Sequence, residues 1–304
     1  MDSARDGDGC QDLGRVTRRT LLGAGAATLL LGSACAPDRP PASEVDITSL
    51  LADDPFYLAH KGGSGDWPEM TAYAYDQAAG LPGLEAVDLS VCRTADGILV
   101  CSYDKTTKRL TGKDLTILDE DWATLSRLTV KSTETSRPSQ PRRPFARLEE
   151  VLDAHLGRFT FFVEPRVQEA AGNLMAQLIS YDQPERIVWK QPVTSTRFAE
   201  AKRHGFATWG YVLDEPAHLG DNLRRYAAAS TIDMLGVGRN RSDTFIAGVV
   251  KAASAVQKPV IAWDVRTARE RARVLELGCR GVASSEIRTL LAAPVTPEPR
   301  PAER

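Results

Sequence analysis

Residues 186–212 read RIVWKQPVTSTRFAEAKRHGFATWGYV. Two runs rich in β-branched and aromatic residues, RIVWKQ (186–191) and FATWGYV (206–212), flank TSTRFAEAKRHG, whose pattern is helical. Strand, helix and strand in so short a span is the repeating unit of a parallel α/β sheet. The same rhythm runs outward in both directions. Strands are expected at FYLAH (56–60), LEAVDLSV (84–91), ILVCSY (98–103), FTFFVE (159–164), IDMLGVG (232–238), PVIAWDV (259–265) and GVASS (281–285). Helical stretches such as MTAYAYDQAAG, RLEEVLDAHLG and ARERARVLELG lie between them. Eight or nine such units fit a closed (β/α)8 TIM barrel. An open doubly wound sheet is the alternative, but no glycine-rich dinucleotide fingerprint follows the first strand. The stretch TETSRPSQPRRP (133–144) breaks the rhythm and reads as an excursion loop.

The first 34 residues are read as an export signal and not as fold. Arg15–Arg19 form a basic region, Thr20–Ala34 an apolar one, and Cys35 closes it. Fifteen apolar residues are too few for a spanning helix, which needs about 20. Thr17-Arg18-Arg19-Thr20-Leu21-Leu22 resembles a twin-arginine signal, and Leu31-Gly32-Ser33-Ala34-Cys35 a bacterial lipobox. A plain cleaved signal that happens to contain a cysteine is the other reading. The expected organisation is a signal over 1–34, a lipidated Cys35 with a flexible tether over 35–52, a barrel over 53–290 and a disordered tail over 291–304. On this reading the protein is a lipoprotein on the outer face of the bacterial cytoplasmic membrane, held there through Cys35. A net charge of −2, from 38 Lys and Arg against 40 Asp and Glu, gives no reason to expect nucleic acid as a partner. Oligomeric state is not legible.

Two of the expected strands meet in VDLSVCRTADGILVCSYD (87–104). Asp96-Gly97 is a two-residue hairpin signal. With those two as the turn, Cys92 faces Cys101 and Ser90 faces Tyr103, in a close non-hydrogen-bonded class of pair. In an exported protein the two cysteines are then expected to form a disulfide, or else to be small buried residues that never oxidise. Asp88 and Ser90 share one strand face, and Tyr103 is expected beside them.

Taken in order, these segments resemble the glycerophosphodiester phosphodiesterase family. LAHKGGSGDWPEMT (58–71) matches the family's AHRG…PENT opening, and VDLSVCRTADGILVCSYD its ELDVxxTxDGxxVxxHD segment. RLTGKDLT, RPFARLEEVLDA, FVEPR and IAWDV, then LELGCRGVASSEI, follow in register. The resemblance implies a (β/α)8 barrel of the phospholipase C-like phosphodiesterase type, with its site at the C-terminal ends of the strands. It implies cleavage of a glycerophosphodiester to glycerol 3-phosphate and an alcohol. It also implies two histidines for acid–base work and three carboxylates holding Mg2+ or Ca2+.

Residue by residue, the match is incomplete. His60 stands at the first histidine. Tyr103 stands at the second, and a phenol keeps its proton at neutral pH, so it is a poor base and at best an acid. Asp88 takes the first carboxylate position with one methylene less, Ser90 replaces the second carboxylate, and Glu164 keeps the third. Since affinity for these hard cations follows ligand charge, Ca2+ or Mg2+ is expected to bind weakly or not at all. Lys61 stands where the family has Arg, Arg166 where it has Lys, and Trp263 matches the family's tryptophan; all three are expected at the substrate. Asp214 and Asp264 are candidates to restore lost charge. Three functions remain: an exported phosphodiesterase, a catalytically impaired cell-surface binding protein on the same barrel, and a barrel hydrolase of altered chemistry.

Overall fold

The computed structural model describes residues 45–132, 141–213 and 221–294. Each of the nine expected strands is a strand in it, within a residue or two of the expected bounds. With the short β4 and β5 added, the strands in chain order are β1 (Phe56–Ala59), β2 (Ala86–Arg93), β3 (Leu99–Cys101), β4 (Thr129–Val130), β5 (Arg143–Pro144), β6 (Thr160–Pro165), β7 (Ile187–Pro192), β8 (Ala207–Tyr211), β9 (Met234–Gly238), β10 (Val260–Trp263) and β11 (Gly281–Ser284). Eight of them pair in parallel as β1-β2-β6-β7-β8-β9-β10-β11, and β11 returns to β1. The sheet is therefore a closed (β/α)8 barrel. β3 adds to β2 in antiparallel sense, and β4 pairs with β5 in a separate two-stranded ladder.

The helices are α1 (Ile47–Ala52), α2 (Ala72–Ala79), α3 (Lys108–Thr111), α4 (Trp122–Leu125), α5 (Leu148–His155), α6 (Gln168–Ser180), α7 (Phe198–Arg203), α8 (Asp221–Ala228), α9 (Asp243–Ser254), α10 (Ala268–Glu276) and α11 (Ile287–Ala292). Among the described residues, no helix is long and apolar enough to cross a membrane.

Side chains alternate along each strand, and the alternation separates two apolar layers. Phe56, Leu58, Ala86, Phe162, Val188, Trp209, Met234, Ile261 and Ala283 fill the barrel interior. Val87, Leu89, Phe161, Val163, Trp189, Leu235 and Val282 point outward and pack under the helices. Gly236 of β9 is required by this filling, because a Cβ there would lie 2.4 Å from the Trp209 indole nitrogen. A third, smaller core of Cys92, Val100, Leu110, Ile117, Leu125, Leu128, Val130 and Phe145 belongs to the excursion between β2 and α5.

Two expectations are corrected. The tether expected over 35–52 is helical in its last part. Asp46 caps α1 in a reciprocal box with Ser49, and Leu50 is buried in the barrel-interior cluster beside Phe56. A six-residue helix has little stability of its own, and burying Leu50 in the barrel supplies it. Residues 1–44, with Cys35, lie outside the described residues, as do 133–140 of the expected excursion loop, Asp214 and 295–304 of the expected tail.

The second correction concerns the hairpin. Its loop has three residues, Ala95-Asp96-Gly97, closed by the Thr94 amide donating to the Ile98 carbonyl at 2.9 Å. Gly97 takes the left-handed conformation, φ +89°, that ends such a loop. The register slips by one from the two-residue reading, so Cys92 lies opposite Val100 and Cys101 opposite Val91. A one-residue slip sends a side chain to the other face. Cys92 accordingly faces the excursion core, Cys101 faces the outer barrel layer, and both are free thiols. Tyr103 likewise does not face Ser90; the Ser102 amide donates to the Ser90 carbonyl instead.

Burial pushes the Cys92 thiol up to about 12 and raises that of Cys101 as well, so neither ionises at neutral pH. Without reductant, mass spectrometry of protein alkylated after denaturation is expected to find both cysteines carrying the label, and neither labelled in the folded protein. A fragment mass linking 92 to 101 would reverse this assignment.

Candidate active site

The inward positions that are apolar in the lower barrel become polar two residues later. Leu58 gives way to His60, Ala86 to Asp88 and then Ser90, Phe162 to Glu164, Val188 to Lys190 and Trp209 to the Tyr211 phenol, while Ile261 is followed by the aromatic Trp263. The strand period thus brings these groups to the C-terminal mouth, where the chemistry of such barrels sits. They surround a pocket of about 260 Å3 lined by His60, Lys61, Tyr103, Glu164, Arg166 and Lys190, with Trp209, Tyr211, Leu213 and Trp263 as its apolar wall.

His60 begins a 3-10 turn directly after β1. Its Nδ1 lies 3.1 Å from Asp88 Oδ2. Lys61 follows in the left-handed region, φ +52°, and in that conformation its amide donates to Asp88 Oδ1 at 2.5 Å. Nδ1–H donating to the carboxylate fixes the tautomer and leaves Nε2 as the atom that can take a proton. Burial works against the charged imidazole, but the Asp88 carboxylate, assisted by Asp264, outweighs it and raises the proton affinity of His60 above the ordinary histidine value. Asp264 accepts from the Ser285 amide at 2.7 Å and from Arg266 Nε at 2.7 Å.

Lys190 is the residue that sequence reasoning missed. Its Nζ lies 2.7 Å from Asp88 Oδ2 and 3.6 Å from Glu164 Oε1, and the residue is 6% exposed. Burial disfavours its charge, but Asp88 and Glu164 more than offset that and keep it protonated. For Asp88 the same balance runs the other way: burial favours the acid, yet Lys190 and His60 hold it far below the usual carboxylate range. A lysine inside a run of buried strand residues was the available signal, since buried lysines are almost always paired. Its partners lie on β2 and β6, so the pairing could not be read from the chain.

Glu164 is equally engaged. Ser90, its register neighbour across the β2–β6 pair, donates to Oε1 at 2.7 Å. Arg166 Nη1 donates to Oε1 at 3.2 Å, and the Tyr211 hydroxyl donates to Oε2 at 3.0 Å. Tyr211 is a second functional residue that sequence reasoning did not single out.

Tyr103 reaches the pocket by a different route from the one expected. Its ring lies between two cations, with Lys61 Nζ 4.1 Å and Arg166 Cζ 3.9 Å from its centroid. Arg166 Nε also donates to the Tyr103 carbonyl at 3.0 Å. Beneath Lys61, the buried Glu69 takes a two-pronged pair from Arg109 at 2.8 and 2.6 Å, and Arg109 Nε bonds Asp104 at 2.6 Å. These contacts tie the excursion to the β1 turn and set the height of Tyr103. Trp263 stands edge-on to Trp209 and Tyr211, with centroids 5.9 and 5.6 Å apart. His60, Asp88, Ser90, Glu164, Lys61, Arg166, Tyr103 and Trp263 therefore do come together. Cys92 and Cys101 lie outside the pocket lining.

The site does not fit a divalent cation. Ser90 is a neutral donor whose hydroxyl proton is committed to Glu164. Both oxygens of Asp88 and both of Glu164 already accept from protein N–H or O–H groups, and an ammonium lies between the two carboxylates. Among the described residues, no group of three or more His, Cys, Asp or Glu side chains is placed to hold a metal ion.

Residues 60–289 match the model of the Glycerophosphoryl diester phosphodiesterase family. A glycerophosphodiester phosphodiesterase of Bacillus subtilis is 26% identical over 157 residues, which cover 49% of this chain and 53% of that protein. The chain thus spans about half the length of that relative. Among solved structures, a putative glycerophosphoryl diester phosphodiesterase of Agrobacterium tumefaciens superposes with a TM-score of 0.66 at 20% identity, over 79% of this chain and 97% of that one. An Oleispira antarctica phosphodiesterase, solved with its product sn-glycerol-3-phosphate, gives a TM-score of 0.64 at 18% identity, over 80% and 98%. At those identities the likeness to the solved structures establishes the barrel.

Because the folded state binds the His60 proton more tightly than the unfolded chain, that proton stabilises the fold fully below the ordinary value of 6.5, and the gain fades as pH rises through the raised value. Thermal unfolding across this window is expected to show a fall in Tm with rising pH that His60→Gln flattens. An unchanged slope in the variant contradicts the His60–Asp88 coupling.

Proposed function

The chain belongs to the glycerophosphoryl diester phosphodiesterase family, and from that premise we propose that it hydrolyses a glycerophosphodiester to glycerol 3-phosphate and an alcohol. The observation that carries this reading is the His60–Asp88 pair opening onto a pocket rimmed by Lys61 and Arg166. The two cations attract the phosphodiester anion. His60 Nε2 takes a proton from water as the water oxygen attacks phosphorus. The bond from phosphorus to the alcohol oxygen breaks, and the departing alkoxide is protonated by the Tyr103 phenol or by water. Trp263 and Trp209 offer a wall for the organic part of the diester. No step passes through Ca2+ or Mg2+. The product held by the Oleispira phosphodiesterase supports glycerol 3-phosphate as the product class.

One observation favours a second reading, a binding protein without turnover. Tyr103, at the second histidine position, is stacked between Lys61 and Arg166. The assay separates the two. Hydrolysis of glycerophosphocholine is expected, with His60→Ala lowering kcat/KM by about 10²–10⁴. In the wild type, kcat/KM is expected to rise with pH through a midpoint above 6.5, because Asp88 holds the His60 proton. Saturable binding of glycerophosphocholine with no release of glycerol 3-phosphate supports the binding reading instead.

We further propose that the protein is exported and anchored in the membrane through a lipid on Cys35. Thr17–Leu22 and Leu31–Cys35 support this reading. Metabolic labelling with radioactive palmitate is expected to mark the wild type and not Cys35→Ser, which leaves the membrane fraction. Equal membrane association of the two forms contradicts anchoring.

A further inference from the structure

Metal-assisted phosphoryl chemistry needs a positive charge against the phosphate, and a bound ion is one way to supply it. This chain holds such a charge in its own covalent structure. Lys190 occupies an inward position of β7, one strand period above Val188 of the barrel filling. Its ammonium is 2.7 Å from Asp88 and 3.6 Å from Glu164, the two carboxylates that the family resemblance would give to a divalent ion. It also lines the pocket.

We propose that Lys190 is the built-in cation of this site, taking the place of a divalent ion between Asp88 and Glu164 and presenting its charge to the substrate phosphate. The inference rests on the phosphodiester reading for the identity of the ligand. Three observations support it independently of that reading. First, the donors are occupied: Asp88 accepts from the Lys61 amide, His60 and Lys190, and Glu164 from Ser90, Arg166 and Tyr211. An incoming ion would have to displace these groups as well as the ammonium. Second, the third acid that would strengthen ion binding is a serine, which spends its proton on Glu164. Third, the mouth is cationic without an ion: Lys61, Arg166 and Lys190 line the pocket, and Glu164 is the one carboxylate among its lining residues. The indole of Trp209, 5.3 Å from Nζ, covers the ammonium on the barrel side.

Lys190 thereby links the machinery. The carboxylate that orients His60 also fixes the ammonium, so base and phosphate-binding charge hang on Asp88 together. A lysine ammonium is a compact point charge with three donors, of which one is directed to Asp88.

The test uses the full-length chain in detergent, stripped with chelator. Thermal unfolding is followed during titration with Ca2+, Mg2+ and Mn2+. No saturable stabilisation of the wild type is expected, whereas an ion that binds the folded state must raise its Tm. Turnover of glycerophosphocholine is expected to survive chelation. Lys190→Ala is expected to lower kcat by about 10²–10³ with a smaller effect on KM, the size of losing one preorganised electrostatic contact. Lys190→Ala combined with Ser90→Asp is expected to acquire saturable stabilisation by these ions. Saturable stabilisation of the wild type, or turnover abolished by chelator and restored by a divalent ion, overturns the proposal. If no glycerophosphodiester is turned over under any condition, the hydrolytic reading falls by itself. The wild-type titration, which requires no variant to fold, still decides the inference on the ion. Glycerol 3-phosphate binding, expected to weaken at least tenfold in Lys190→Gln, decides the contact with phosphate.

Discussion

The mouth of this barrel is organised by the buried ion pair between Lys190 and Asp88. A carboxylate wholly withdrawn from water is costly unless opposite charge and hydrogen bonds compensate it. Asp88 meets that requirement with the Lys190 ammonium, the Lys61 amide and His60. Each contact has a structural consequence. The amide contact goes with the left-handed turn after β1. The imidazole contact fixes which nitrogen of His60 can take a proton. The ammonium contact joins β7 to the acids of β2 and β6. Removing one partner of such a pair leaves the other buried and uncompensated, so geometry and electrostatics here stand or fall together.

Much of the fold was legible because the barrel expresses it locally. Nine strands could be read from β-branched and aromatic runs, since alternation of inward and outward side chains is a property of neighbours in sequence. Closure into a barrel followed from the count of units. Features that depend on distant partners were not legible. α1 is too short to announce itself and is held by the burial of Leu50 beside Phe56. The hairpin signal Asp-Gly was real, but Gly97 closes a three-residue loop, and that single residue undid the cysteine pairing.

The site divides along the same line. His60, Asp88 and Glu164 were visible because motif order marked their positions, and strand parity then placed them on one rim. Lys190 carried only a weak signal, because a lysine in a strand reads as an edge or solvent-facing residue until its carboxylates are located. Asp88 lies 102 positions away in the chain. Tyr211 escaped for the same reason, its hydroxyl meeting Glu164 across 47 positions. Ser90 and the shortened Asp88, which the sequence reads as a weakened cation site, take on a coherent sense beside Lys190. One acid fewer and one methylene less accompany an ammonium that fits between the two carboxylates that remain.

The place of Lys190 between the two acids is open to a crystal of the full chain grown with manganese and glycerol 3-phosphate, with anomalous scattering recorded at the manganese edge. The expected result is no anomalous peak between Asp88 and Glu164, and electron density for Lys190 Nζ in contact with both a carboxylate and the phosphate. A manganese peak bonded to Asp88 and Glu164, with the lysine turned away, would contradict it.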